Sequence, residues 1–298
     1  MTAPAAVTPE LVARWRLPPI PGDGDKEARG RVLLLGGGAQ VAGATLLTAV
    51  AALRAGAGKV QIAAPASLAT PLALAVPEAR VIPAQETSKG ELAPEAAEAL
   101  GEAYAACEAA VLGPGMLDKA IAGELALRLA ERDGPPLVAD AAAAVGLAGD
   151  AERARAHGGR LVLTPHLGEM AALSGCPKQE VEADPLGLTR ATASRLQAVV
   201  ALKGAVTFIV TPDGQAWRHE SGAPGLATAG SGDVLAGVIA GLIARGAAPA
   251  QAAVWGVAAH GLAGVRLAGR LGRLGLLARE LLDEIAPVLN ALEGEPAA

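Results

Sequence analysis

Ala227-Thr228-Ala229-Gly230-Ser231-Gly232-Asp233 is the stretch that decides the reading of this chain, because it runs straight into a helical pattern. Val234, Leu235, Val238, Ile239 and Leu242 recur at the spacing of one buried helix face. Small residues and an acid at a helix start gather free backbone N–H groups and the positive dipole end on one spot, which suits a phosphate or a developing oxyanion. An acid there would repel that anion. The plain reading makes Asp233 an ordinary N-cap, but a cap does not need Gly230 and Gly232 beside it. The sharper reading is an anion hole with a catalytic base at its lip.

Around this stretch the chain reads as α/β. At 298 residues and 52% hydrophobic it can bury a large core, and with only 2% aromatics that core must be aliphatic and closely spaced. Strands are expected at Val32–Leu35, Val60–Ala63, Ala109–Leu112, Leu137–Ala139, Leu161–Leu163, Val199–Leu202 and Val206–Val210. Helical stretches such as Ala44–Ala55, Pro94–Ala106 and Lys119–Arg132 lie between most of them. Continuous apolar strands joined through helices imply a mostly parallel sheet covered on both faces. Pro212-Asp213-Gly214 signals one hairpin, between Phe208-Ile209-Val210 and Gln215-Ala216-Trp217. The last eighty residues read as mostly helical. Residues 1–28 are expected to form a flexible N-terminal arm and residues 29–298 a single domain.

In such sheets ligands gather at the carboxyl ends of the strands. Gly36-Gly37-Gly38, Gly113-Pro114-Gly115, Asp140, Thr164-Pro165-His166 and Lys203-Gly204 each follow a strand. One alone would be a plain turn; five on one edge read as a site.

Standard motifs fail. A dinucleotide fingerprint starting at Gly36 needs glycine where Val41 stands, and no acid occurs between Glu27 and Glu78. A Walker A loop ending at Gly58-Lys59 would need glycine at Leu53 and a hydroxyl at Val60. A nucleophile elbow at Ser231 would need glycines where Ala229 and Asp233 stand. The four histidines show no metal-ligand spacing, so no protein metal ligands are assigned. A formal charge of −5 leaves no basic stripe for nucleic acid. The aliphatic runs break before membrane-spanning length, and Met1–Pro19 lacks a signal-peptide pattern. Cys107 and Cys176 offer no disulfide framework, so a reducing, cytoplasmic setting is expected.

The ordered set Gly43-Ala44, Gly113-Pro114-Gly115, Leu163-Thr164-Pro165-His166-Leu167-Gly168-Glu169, Lys203-Gly204-Ala205-Val206-Thr207 and Gly230-Ser231-Gly232-Asp233 resembles the NAD(P)H-hydrate dehydratase family over about residues 30–290. That resemblance implies a ribokinase-like three-layer α/β/α sandwich with a mostly parallel central sheet and a terminal hairpin. It implies repair of hydrated NADH and NADPH with ADP or ATP as co-substrate, ADP being preferred, together with Mg2+ and a homo-oligomer such as a tetramer. Ala44, Gly115, His166 and Asp233 match the positions that hold the hydrated dinucleotide. Lys203, Gly204, Ala205, Val206, Thr207 and Gly232 match those that hold the adenine nucleotide, with Gly230 and Ser231 beside them. By the same resemblance Asp233 is the catalytic base. The sequence departs from the family pattern at Leu167, at Ala142 and at Val41-Ala42. The residues read alone leave plainer roles open: helix packing for Ala44, a tight turn for Gly115, a capped loop for His166, a snorkelling edge lysine for Lys203. A vitamin-type kinase of the same fold, acting on a hydroxyethylthiazole or pyridoxal-type alcohol, is the alternative function. A nucleotide-sensing protein without turnover is a third.

Overall fold

Arg31–Leu35 (β2) shows how the two faces of the sheet are built: Val32 and Leu34 belong to one buried cluster, Leu33 and Leu35 to the other. Successive strand side chains point to opposite faces, so a strand apolar at four positions in a row, Val32 to Leu35, must be covered on both. The structure is a computed structural model, and it describes residues 3–20 and 25–294. The other strands are β1 (Ala5–Ala6), β3 (Lys59–Pro65), β4 (Arg80–Ala84), β5 (Ala109–Leu112), β6 (Leu137–Ala139), β7 (Leu161–Leu163), β8 (Ala198–Leu202), β9 (Val206–Val210) and β10 (Ala216–Glu220). They form one sheet in the order β1-β10-β9-β8-β7-β6-β5-β2-β3-β4.

From β8 across to β4 every pair is parallel, while β9 is antiparallel to both β8 and β10. Helices cover both faces, which makes the expected three-layer sandwich with the hairpin near one edge. All seven strands expected from the sequence are present, most of them to within a residue or two. The edge strand β4 gave no strand signal because it contains Pro83, which edge strands tolerate and central ones do not. The helix expected at Pro94–Ala106 divides into Ala96–Ala99 and Gly101–Ala105.

The small-residue composition has a direct packing consequence. The helix Ser231–Ala244, called here the site helix, lies nearly backbone to backbone on the helix Ala42–Arg54. A Cβ on Gly237 would stand 2.3 Å from the Thr48 carbonyl oxygen, and one on Gly241 2.5 Å from that of Ala52. Larger residues would push the two helices apart and carry Asp233 with them.

The expectation of a free arm is corrected for residues 3–20. β1 pairs in parallel with β10, and the short helix Pro9–Arg14 buries Val12. Trp15 stacks on Trp217 with ring centroids 5.5 Å apart, and Trp255 Nε1 donates to the Trp15 carbonyl at 2.8 Å. All three tryptophans of the chain meet here. Residues 21–24 of the expected arm lie outside the described residues. Among the described residues no helix is long and apolar enough to cross a membrane.

Candidate active site

Strand direction puts all five polar and glycine-rich segments on one edge, since β2, β5, β6, β7 and β8 run parallel. The chain moves outward from β2 to β3 and β4, then resumes with β5 on the other side of β2. The switch in strand order therefore falls between β2 and β5, where crevices form in such sheets. A cavity of about 690 Å³ lies there, lined among others by Gly38, Gln40, Lys89, Gly115 and Lys119. A second cavity, about 480 Å³, reaches the residues just before β5 and β6, Glu108 and Pro136, and so lies at the opposite edge.

The glycines between β2 and β5 serve backbone packing. Gly37 N–H donates to the Pro114 carbonyl at 2.8 Å, and a Cβ on Gly36 would stand 2.5 Å from the same oxygen. Gly115 has φ +78° and its Cβ would meet the Val41 carbonyl at 2.6 Å. Its smallness answers to the neighbouring loop, the plainer of the two readings, although it also borders the cavity.

The charged cluster sits beside the site helix. Lys203, one residue past β8, donates through Nζ to Asp140 Oδ1 at 2.9 Å, and Thr164 Oγ1 donates to the same oxygen at 2.7 Å. Asp140 is only 4% exposed at its side chain. Lys203 N–H is fixed by the Pro165 carbonyl at 2.7 Å. Burial opposes the lysine charge, yet Asp140, Glu169 and Asp233 together hold it above its ordinary value. The snorkelling reading therefore fails. Ala141, directly after Asp140, adopts φ +50°, a conformation uncommon outside glycine and one that no sequence pattern announces.

Asp233 is no N-cap. It stands in the third position of the site helix, whose N-cap is Gly230 at φ +88° with no side-chain capping bond. Burial, then the neighbouring Asp140 and Glu169, push its carboxyl up to about 7 against the pull of Lys203. Ser231 N–H is taken by the Thr228 carbonyl at 3.3 Å. The N–H groups of Gly232 and Asp233 have no acceptor among the described residues. A Cβ on Gly232 would stand 2.7 Å from Lys203 Nζ. One spot thus collects a lysine ammonium, two free N–H groups, the dipole end of a fourteen-residue helix and a carboxyl poised to exchange its proton near neutral pH.

The other expected residues lie on the neighbouring elements. Ala44 is buried, and Thr48 Oγ1 bridges its carbonyl (3.0 Å) to that of Asp233 (3.1 Å). His166 is the N-cap of the helix Leu167–Ser174: its Nδ1 accepts from Gly168 and Glu169 N–H, and Glu169 Oε2 accepts from His166 N–H. The capped-loop reading holds for His166, leaving its Nε2 3.4 Å from Glu169 Oε1 on a ring that is 60% exposed. Gly204 and Ala205 form the exposed turn between β8 and β9, with Val206 and Thr207 opening β9. No hydrogen bond among the described residues joins Thr207 to the charged cluster. The Ser231 hydroxyl turns inward, 3.0 Å from His260 Nε2. His260 carried no signal in the sequence.

Removing Lys203 tests the pair directly. Lys203→Ala should leave the buried Asp140 carboxylate with Thr164 as its remaining partner and destabilise the fold, on the order of 3 kcal/mol. Adding Asp140→Asn should recover part of that loss. An unchanged melting temperature in the single variant would show that the pair contributes nothing to folding.

Fold and site together define a ribokinase-like protein equipped for chemistry on a phosphoryl group. Residues 32–287 match the family model for NAD(P)H-hydrate dehydratase, and the chain belongs to that family. It is 48% identical to the ADP-dependent (S)-NAD(P)H-hydrate dehydratase of Xanthomonas campestris pv. campestris over 98% of this chain and 99% of that one. Identity to the protein of the same name from Neisseria meningitidis serogroup B is 36%, over 91% and 87%. The ADP/ATP-dependent NAD(P)H-hydrate dehydratase of Bacillus subtilis, co-crystallised with ATP and Mg2+, superposes with a TM-score of 0.80 at 27% identity, covering 98% of this chain and 100% of that one.

Proposed function

We propose that this chain dehydrates hydrated NADH and NADPH at the cost of a nucleotide phosphoanhydride, using ADP and releasing AMP and phosphate. The observation that carries the reading is the Asp233 carboxyl, raised to about 7 beside the free N–H groups of Gly232 and Asp233. A nucleotide sensor gains nothing from an acid facing phosphates, whereas a general base needs a pKa near the working pH.

The C6 hydroxyl of the hydrated ring is a poor leaving group. Asp233 accepts its proton as the oxygen attacks the terminal phosphoryl of ADP, forming the C–O–P ester and breaking the bond to AMP. The N–H groups at the start of the site helix and the Lys203 ammonium face the transferred oxygens and stabilise their charge. The ring nitrogen then pushes out phosphate with both C–O bonding electrons, a ring proton leaves, and NAD(P)H is restored. In this reading Ala44, Gly115, His166 and Asp233 border the dinucleotide, and the 690 Å³ cavity opens at Gly115. Lys203 to Thr207 with Gly230, Ser231 and Gly232 border the nucleotide.

Among the described residues no cluster of three or more His, Cys, Asp or Glu is arranged to hold a metal. Asp140 Oδ2, beside Gly232, fits a magnesium ion carried on the nucleotide phosphates, an ion that usually keeps several waters and needs few carboxylates. Bound there, Mg2+ would neutralise phosphate charge. We also read the enzyme as cytoplasmic and as a homo-oligomer; exposed Leu271, Leu274 and Leu277 at the turn after the long helix Pro249–Leu271 support self-association.

The deciding assay incubates the protein with NADHX, ADP and Mg2+ and follows NADH absorbance. Its return supports dehydration; a stable phosphate ester without NADH indicates a kinase, and nucleotide binding without either indicates a sensor. Because the base must be ionised in the free enzyme, kcat/KM for NADHX should rise with unit slope to about pH 7 and then level. A profile flat across the neutral range would remove Asp233 as the titrating base.

A further inference from the structure

We infer that His260, which nothing in the reaction scheme uses, is a positioning residue that aims the Gly232 N–H at the transferred phosphoryl group. The inference rests on the dehydratase reading of the site. His260 lies on the long helix Pro249–Leu271, 9% exposed, directly behind the anion hole. Its Nε2 is 3.0 Å from the Ser231 carbonyl oxygen and 3.0 Å from Ser231 Oγ. A carbonyl can only accept, so Nε2 carries the hydrogen and donates.

The Ser231 carbonyl and the Gly232 N–H belong to one planar peptide unit and point in opposite directions. Holding the oxygen from behind therefore fixes where the N–H points in front. The same bond draws electron density toward the oxygen and makes the N–H a better donor. Within the helix the Ser231 carbonyl also accepts from Leu235 N–H, so His260 adds a second hold on a helix start where Gly230 at φ +88° supplies no side-chain cap and Ser231 turns its hydroxyl inward.

The long helix grips the loop at a second point. Gly256, His260 and Gly264 are spaced i, i+4, i+8 and so share one face. A Cβ on Gly256 would stand 2.7 Å from Ile239 Cγ1 of the site helix, and one on Gly264 would stand 2.6 Å from Leu226 Cγ. Leu226 ends the short 3-10 turn that leads into the 227–233 loop. One helical turn of the long helix thus holds both ends of the anion-hole loop, Leu226 at Gly264 and Ser231 at His260. Burial, with Lys203 and His219 nearby, holds the imidazole at about 4, so it stays neutral with a single hydrogen throughout the working range.

The test compares two polar replacements of unequal reach. In His260→Gln the amide nitrogen falls near the position of Nε2; in His260→Asn it stops at the position of Nδ1 and leaves the Ser231 carbonyl with only its bond from Leu235 N–H within the helix. His260→Gln should keep kcat within about threefold of the wild type. His260→Asn should lose kcat by roughly 10- to 100-fold, the scale of small misplacements at a reacting centre, with KM for ADP and for NADHX nearly unchanged. Equal kcat in the two variants, a change confined to KM, or a loss that follows melting temperature would overturn the inference. Gly264→Ala leaves His260 in place and crowds the flexible end of Leu226. It should show the same kcat signature, and an unchanged kcat would count against the two-point grip. A wild-type protein that returns no NADH from NADHX and ADP would sink the dehydratase reading itself, a failure visible before any variant is made.

Discussion

Asp233→Asn should lower kcat by about 10²–10⁴, the usual loss when a general base is removed, while ADP binding survives. Asparagine keeps the shape of the side chain and its place in the third position of the site helix, but it cannot accept the hydroxyl proton. The variant should also melt higher than the wild type at pH 8. Asp233 rises from its ordinary 3.8 to about 7 in the folded protein, chiefly through burial. The folded state therefore holds this proton more tightly than the unfolded chain does. Ionising the group costs stability progressively as pH rises from about 4 to about 7, and the cost is constant above that. The melting advantage of Asp233→Asn should grow across the same window and then level. A near wild-type rate would remove Asp233 from the mechanism. A lower melting temperature at pH 8 would mean that Lys203 stabilises the carboxylate more than burial penalises it.

Gly232→Val should abolish turnover, with a stability loss no larger than that of breaking the Lys203–Asp140 pair, on the order of 3 kcal/mol, since valine is no worse a helix former than glycine. The backbone at Gly232 needs no positive φ, so valine can adopt it. The new side chain would meet Lys203 Nζ, for which the Cβ position lies at 2.7 Å, and Asp140 Oδ2 at 3.7 Å. The first is the end of a flexible side chain and can swing away. In doing so it leaves the phosphoryl position, while the valine methyls cover the free N–H. Gly230 makes the control, since its φ of +88° and the 2.6 Å approach of Leu47 Cδ1 make substitution there costly to folding. If activity per folded molecule persists in Gly232→Val, the glycine is there for helix initiation and the anion hole is not.

The strands that carry the site were legible because their signal is local. β2, β5, β6, β7 and β8 are unbroken apolar runs followed at once by glycine or a polar residue, and that pattern fixes both a buried parallel strand and the edge on which its loop emerges. The Gly-Ser-Gly-Asp start of the site helix was legible for the same reason. β4, with its proline, and β1, only two residues long, lack that signal. The roles within the site were less so. Gly115 answers to Val41, and His166 caps its own helix. The N-terminal arm docks because Trp15 finds Trp217 and Trp255 more than 200 positions away in the chain.

By itself, then, the sequence determined the layered α/β class, the edge that gathers the polar and glycine-rich loops and the glycine-rich helix start with its acid, since periodicity and backbone conformation act over a few residues. The tertiary structure decided which charges meet. Lys203 and Asp140 stand 63 positions apart and pair because β6, β7 and β8 are neighbours in the sheet. His260 reaches Ser231 because glycines let the long helix approach the site helix closely. Asp233 acquires a pKa near 7 through burial and the carboxylates around it. Desolvation and close pairing depend on which surfaces are brought together in space, and no stretch of sequence carries that information alone.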